Sequence, residues 1–89
     1  MQLIKSDVAS TLPPVNADVV IHIPDGQPPI PLRVDAVVEV NDGEAVCFKV
    51  TGTVLVGGRY GYGIDAETYV VGEPIVVYVA SGDEWEKAA

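Results

Sequence analysis

The segment from residue 32 to residue 56 most constrains the fold, because its apolar side chains recur at nearly every second position. It reads LRVDAVVEV, then NDG, then EAVCFKVTGTVLV. A period of two is typical of a β-strand with one buried face. The NDG sequence supplies hairpin-turn residues, and its glycine, Gly43, suits a left-handed backbone. The segment therefore predicts an antiparallel hairpin.

A three-residue loop at 41–43 gives this hairpin its expected register. The register creates three apolar cross-strand pairs on one face: Val38 with Val46, Ala36 with Phe48, and Val34 with Val50. A slip of one residue would move every side chain to the opposite face, so the apolar pattern favours this register. Gly52 interrupts the second strand, which indicates a bulge or a barrel corner.

Other short apolar runs extend the β pattern over most of the chain. They read DVVIHI at 18–23, YVV at 69–71 and IVVYVA at 75–80, and they are separated by turn residues. The chain of 89 residues has room for one modest core. We therefore expect a single all-β domain over 1–89, a small antiparallel β-barrel or sandwich of six to seven short strands.

The two ends of the chain are expected to lie outside this main pattern. Residues 1–17 are expected to form an N-terminal loop or edge segment. The acidic tail at 81–89 allows a short helical turn, because Ser81 and Glu84 have capping-box spacing. No apolar run is long enough for a signal peptide or a membrane span, so the expected location is the cytoplasm, or a particle assembled there.

The charge of the chain limits its partners. Thirteen acidic residues against five basic ones give a net charge of −8. Phosphate backbones are bound by clustered lysines and arginines, whereas the five basic residues here are scattered singly. Direct nucleic-acid binding is therefore not expected. A basic protein partner fits the charge, and so does the simpler interpretation that the acids only solvate the surface.

No set of residues in the sequence predicts catalysis. The chain has one histidine, His22, and one cysteine, Cys47, and nothing in their spacing pairs them. A nucleophile needs an adjacent base and an orienting group, and a zinc site needs several such ligands. We expect no enzyme activity, no cofactor and no metal site.

The tyrosine-rich stretch after Gly57-Gly58 is the most suggestive candidate site. A two-residue turn at these glycines places Leu55 opposite Tyr60 and turns Tyr60 and Tyr62 away from the core face. Clustered exposed tyrosines are typical of binding surfaces; a slipped register or a covering layer would bury them instead. The candidate binding residues are Tyr60, Tyr62, Arg59, Leu55, Lys49 and Trp85.

Two functional hypotheses follow from these features. The first is a non-enzymatic protein-interaction module. It is either an acidic inhibitor or adaptor of a basic, nucleic-acid-handling protein, or a small subunit of a larger assembly such as a virion, with homo-oligomerisation allowed. The second is a small-ligand or carbohydrate-binding β-barrel, with Tyr60, Tyr62 and Trp85 as stacking platforms.

Phe48 tests the predicted core face. It is the only phenylalanine of the chain and lies on the apolar face of the strand after the NDG loop. Truncation of a buried phenylalanine costs about 3–5 kcal/mol. Phe48→Ala should therefore unfold most of a marginally stable domain, as measured by chemical denaturation. A melting temperature within a degree or two of wild type would show that Phe48 is not buried.

Overall fold

The computed structural model describes residues 4–5, 12–23, 27–41, 43, 46–61, 66–80 and 83–88. Within these residues the chain is all-β. The strands are β1 (Ile4–Lys5), β2 (Asp18–His22), β3 (Ile30–Asn41), β4 (Val46–Val54), β5 (Gly58–Tyr60), β6 (Glu67–Tyr69), β7 (Pro74–Ala80) and β8 (Glu84–Lys87). The expected all-β class is confirmed.

The strands form one large antiparallel sheet and one small one. Six strands pair in the order β1-β8-β2-β3-β4-β7, and β5 pairs with β6 in a separate two-stranded sheet. No pairing between described residues joins β1 to β7, so these strands do not form a closed barrel. The part of the chain that the structure describes contains no helix long and apolar enough to cross a membrane.

The end of the chain corrects the expected helical turn. Residues 84–87 form β8, which lies between β1 and β2. Trp85 is in register with Ile4 on one side and Ile21 on the other, and its side chain is buried in the core. A strand buries this large side chain against two neighbouring strands, which a solvated helical turn would not do. Ser81, the expected cap, lies outside the described residues.

The core covers one face of the large sheet, here called the inner face. Its side chains alternate with outward-facing ones, as the burial of every second residue along β7 illustrates. The buried cluster contains Val19, Ile21, Ile30, Leu32, Val34, Val50, Val54, Tyr60, Ile75, Val77, Val79 and Trp85. Tyr60 belongs to β5, so the β5–β6 hairpin contributes to the core from outside the large sheet.

The β3–β4 hairpin does not have the register that the sequence predicted. Asn41 pairs with Val46, so four residues separate the two strands, and Val37 rather than Val34 lies opposite Val50. The three-residue register is wrong because the loop between the strands has four residues, and a bulge in β3 shifts the pairing once more. The ladder shifts between Val34 and Ala36, where one extra residue is accommodated. The left-handed backbone expected at Gly43 is confirmed, with φ at 74°.

Gly52 marks the bulge, as its position in the sequence indicated. It pairs with Val34, the last residue of β3 before the shift. A Cβ atom at residue 52 would lie 2.5 Å from the carbonyl oxygen of Arg33 and 2.7 Å from Cδ1 of Leu32. Because no side chain fits at these distances, glycine allows β3 and β4 to approach closely at the bulge.

The bulge divides the predicted core residues. Val34, Phe48 and Val50 are buried, as expected, whereas Ala36 and Val38 are exposed on the opposite face, against expectation. The extra residue reverses which positions of β3 face inward, because side chains alternate with a period of two. The side chain of Val46 lies outside the described set.

The close contact at Gly52 predicts a large effect of a small substitution. Gly52→Ala places a methyl group against the Arg33 carbonyl oxygen, and overpacking of this kind costs typically about 1–3 kcal/mol. The free energy of unfolding, measured by urea denaturation, should fall by that amount. Thr51→Ala, on the neighbouring outward-facing position, is the matched control and should change stability by less than about 0.5 kcal/mol. Equal effects of the two substitutions would contradict this interpretation of the bulge.

Candidate interaction surface

Tyr60, the leading candidate from the sequence, lies in the core. Its side chain is 7% exposed, so the expectation that it faces solvent is wrong. The expected turn at Gly57-Gly58 does not form a β4–β5 hairpin. Instead, β4 ends at Val54, and β5 pairs with β6, so that Tyr60 lies opposite Glu67. The chain thereby leaves the large sheet and returns Tyr60 to its inner face.

A hydrogen bond and an aromatic contact hold the Tyr60 ring. Its hydroxyl donates to the carbonyl oxygen of Val56 at 2.6 Å, and its ring centroid lies 6.1 Å from that of Tyr69. Burial raises the pKa of Tyr60 above its ordinary value. Burial also raises the pKa of Tyr69, and the neighbouring Glu67 carboxylate raises it further. Tyr60 is therefore a satisfied core tyrosine rather than an exposed anchor.

The other candidate residues do not form one site. Arg59 is exposed, Leu55 and Lys49 are half-buried, and Trp85 is buried. Trp85 consequently offers little surface to a partner. Tyr62 lies outside the described residues. Of the candidates that the structure describes, only Lys49 lies among the exposed apolar side chains of β3 and β7, on the outer face of the large sheet.

One half of the outer face is polar and internally paired. Arg33 Nε donates to Asp18 Oδ1 at 2.8 Å across the β2–β3 ladder, and this ion pair raises the pKa of the Arg33 guanidinium. Thr53 donates to Asp35 at 2.8 Å. Such exposed polar pairs are well hydrated and contribute little to stability. This half has the character of an ordinary solvated surface.

The other half of the outer face is mostly apolar, although it is open to solvent. It is formed by three cross-strand rows of β3, β4 and β7: Ala36–Thr51–Val76, Val38–Lys49–Tyr78 and Val40–Cys47–Ala80. We call these nine residues the apolar outer face. The exposed fractions are 54% for Val38, 45% for Val76 and 60% for Tyr78. Lys49 and Thr51 lie between the apolar side chains of β3 and those of β7. Exposed clusters of apolar side chains mark interaction sites when they are large enough.

Sequence reasoning missed this surface because it assigned Val38 to the core. A signal was nevertheless present, since Val37 and Val38 are adjacent and only one of two adjacent strand residues can face inward. Tyr78 likewise follows Val77, which is buried. Adjacent apolar residues on neighbouring strands indicate a sheet with apolar character on both faces.

A groove lies beside the apolar outer face, along β7. Residues 75–78 form one side, and Ile23, Ile30, Tyr60 and Gly61 form the other. Its volume is about 190 Å³. Drug-sized ligands occupy pockets of about 300–1,000 Å³, whereas a cavity of about 150 Å³ accepts benzene. The β7 groove therefore has room for one large apolar side chain.

His22 and Cys47 are not brought together. His22 follows Ile21, which pairs with Ile30 at the start of β3, whereas Cys47 pairs with Val40 near its end. About nine residues of strand, on the order of 30 Å, separate them. The His22 ring instead lies 3.2 Å from the Glu86 carboxylate. Within the described residues no group of three or more histidine, cysteine or acidic side chains is positioned to hold a metal ion.

The chain has no detected relative. Comparisons with protein-family models, curated proteins and solved structures found no match. The apolar outer face and the β7 groove are therefore the structural features that bear on the function of the chain.

The Tyr60 hydroxyl predicts a pH-dependent contribution to stability. Because the folded-state pKa is raised, the contribution is complete below the ordinary tyrosine pKa of about 10 and is lost as pH rises through the folded value. Tyr60→Phe removes the bond to Val56, so it should lower the free energy of unfolding at neutral pH by about 0.5–1.5 kcal/mol. It should also flatten the decline in stability as the pH rises above about 10.

Tyr78→Phe is the matched control for this experiment, because it removes an exposed hydroxyl. Urea denaturation at each pH provides the measurement for both variants. If Tyr60→Phe and Tyr78→Phe have the same stability and the same pH profile as wild type, the Tyr60 hydroxyl does not make the contact described here.

Proposed function

We propose that this chain is a non-enzymatic protein-interaction module and that the apolar outer face is its contact surface. The observation that carries the proposal is the exposure of Val38 on β3 and of Val76 and Tyr78 on β7, on the same face of the sheet and on either side of β4. The polar half of the same sheet face provides an internal contrast. If the whole outer face were only a solvated surface, we would expect polar pairs such as Asp18–Arg33 over all of it.

The composition of the face matches that of protein interfaces. Tyrosine is enriched at interfaces because it combines a large apolar ring with a polar tip, and Tyr78 occupies the middle row of the face. Lys49 lies beside it, half-buried. The aliphatic stem of a lysine covers apolar surface while its ammonium group stays hydrated. This arrangement supports an apolar contact with one charge that orients the partner.

The charge of the chain favours a basic partner. With thirteen acidic and five basic residues, the field around the molecule attracts cationic surfaces and repels nucleic acid. An acidic inhibitor or adaptor that covers a basic protein, such as a nucleic-acid-handling one, fits this field. A small subunit of a larger assembly is the alternative form of the same proposal, because the face would then be covered by neighbouring subunits.

Small-ligand binding is the second candidate, and the β7 groove is the observation in its favour. The size of the groove restricts this candidate to compact apolar ligands rather than carbohydrates, which need exposed aromatic platforms and polar groups. Trp85 is buried in the core, so it does not provide such a platform. The protein-interaction proposal uses a larger part of the exposed surface.

The proposal predicts that single changes on the apolar outer face abolish partner binding without unfolding the chain. Tyr78→Ser and Val38→Ser remove exposed apolar side chains, so their melting temperatures should stay close to that of wild type. Loss of an aromatic interface anchor typically costs about 2 kcal/mol or more of binding energy, which is more than a tenfold weakening. Affinity purification from the native cells with quantitative mass spectrometry measures the recovered partner.

Val71→Ser is the matched control for these variants. Val71 is 66% exposed in the turn before β7 and lies outside the apolar outer face. It should retain the partner at the wild-type level. A partner that binds all three variants equally would show that the apolar outer face is not the contact surface.

A further inference from the structure

The free edge of β7 offers a second mode of contact beside the apolar outer face. β7 pairs with β4 on one side, and no strand among the described residues pairs with it on the other. We propose that this edge binds an extended, basic segment of a partner protein as an added antiparallel strand. The inference rests on the proposed protein-interaction function and specifies the form of its partner.

Backbone hydrogen bonds show which residues of β7 face the free edge. Val54 N–H donates to the carbonyl oxygen of Glu73 at 2.9 Å, so Glu73, the residue just before β7, directs its carbonyl group to β4. Ala80 N–H donates to the Asp83 carboxylate, which is outside the sheet ladder, at 2.9 Å. Because backbone groups alternate along an antiparallel strand, the even-numbered residues Val76, Tyr78 and Ala80 direct their N–H and C=O groups to the free edge.

The accessible part of this edge is short. Pro74, at one end, has no N–H to donate. Ala80, at the other end, has its N–H occupied by Asp83. The positions left between them are Val76 and Tyr78, and no hydrogen bond between described residues involves their edge-facing groups. Val76 and Tyr78 each present one donor and one acceptor to an incoming strand, and the Pro74 carbonyl group is a further acceptor.

The β7 groove lies beside these groups. Residues 75–78 line it together with Ile23, Ile30 and Tyr60. In an antiparallel pairing, the incoming residue opposite Val77 points to the same side of the sheet as Val77, which is the inner side. Its side chain would enter the groove, which has room for an aromatic ring. Strand addition with one side-chain pocket is a common form of peptide recognition.

Charge selects the occupant. A second copy of this chain would bring another net charge of −8 against the first, whereas a cationic segment is attracted. The strand itself, PIVVYVA, carries no acidic or basic side chain. The attraction thus comes from the surrounding molecule, and the contact itself is made by backbone groups and apolar side chains. A basic extended segment with one central aromatic residue satisfies both requirements.

A synthetic peptide tests this inference directly. The probe is Lys-Lys-Val-Thr-Phe-Thr-Val-Lys-Lys, in which phenylalanine is placed opposite Val77 and the two threonines opposite Val76 and Tyr78. Isothermal titration calorimetry should detect binding to the wild-type chain. Replacing the four lysines with glutamates, or the phenylalanine with serine, should weaken binding at least about tenfold.

Backbone substitutions separate edge pairing from side-chain contacts. Val76→Pro removes an N–H that faces away from β4, a position at which an edge strand tolerates proline. It should weaken the peptide about tenfold or more, whereas Val76→Thr, which keeps the N–H, should bind within about threefold of wild type. N-methylation of the two peptide threonines should abolish binding, and N-methylation of its phenylalanine should not, even if Val76→Pro fails to fold.

The outcomes separate this inference from the proposed function. Strand addition would be overturned if Val76→Pro and Val76→Thr bind the peptide equally and N-methylation has the same effect at the threonines as at the phenylalanine. It would also be overturned by a wild-type dimer in analytical ultracentrifugation that Val76→Pro dissociates, since a second copy would then occupy the edge. If the natural partner is lost by Val38→Ser but retained by Val76→Pro, the proposed function stands and the strand-addition inference is wrong.

Discussion

The close approach of β3 and β4 at Gly52 is the constraint on which the rest of the structure depends. The Arg33 carbonyl oxygen lies only 2.5 Å from where a Cβ of residue 52 would be, and the bulge at this point shifts the β3 ladder by one residue. Before the bulge Leu32 and Val34 face inward. After it Val38 faces outward. The same local event therefore completes the core at one end of the hairpin and places apolar side chains on the solvent side at the other.

The sequence predicted the class of fold because alternation is a local property. The all-β class, the left-handed backbone at Gly43 and the bulge opposite Gly52 follow from nearby residues, and the structure confirms them. The register did not follow, because adjacent Val37 and Val38 fit either face equally well. A three-residue loop maximised apolar pairs, whereas the actual loop has four residues, and the bulge in β3 adds a residue that period-two patterning does not detect.

The position of Tyr60 depended on which strand pairs with β5. The strand β5 pairs with β6, seven residues further along the chain, rather than with the adjacent β4. Glycines at 57 and 58 indicate a turn, but they do not indicate which strand pairs with β5. Tyr60 is therefore buried, and the exposed apolar side chains of the candidate surface are instead Val38 on β3 and Val76 and Tyr78 on β7. Among the sequence candidates that the structure describes, only Lys49 belongs to the apolar outer face.

The two ends of β7 also bear on aggregation. Pro74–Ala80 is a seven-residue, uncharged and β-branched segment, which is the composition of strands that stack into cross-β fibrils. Such stacking requires an uninterrupted row of backbone donors and acceptors on both sides. In the folded chain β4 occupies one side, while the proline ring and the Asp83 carboxylate limit the other side to two residues. The native edge is thus too short to template a growing fibril, although it is long enough to hold a single bound strand.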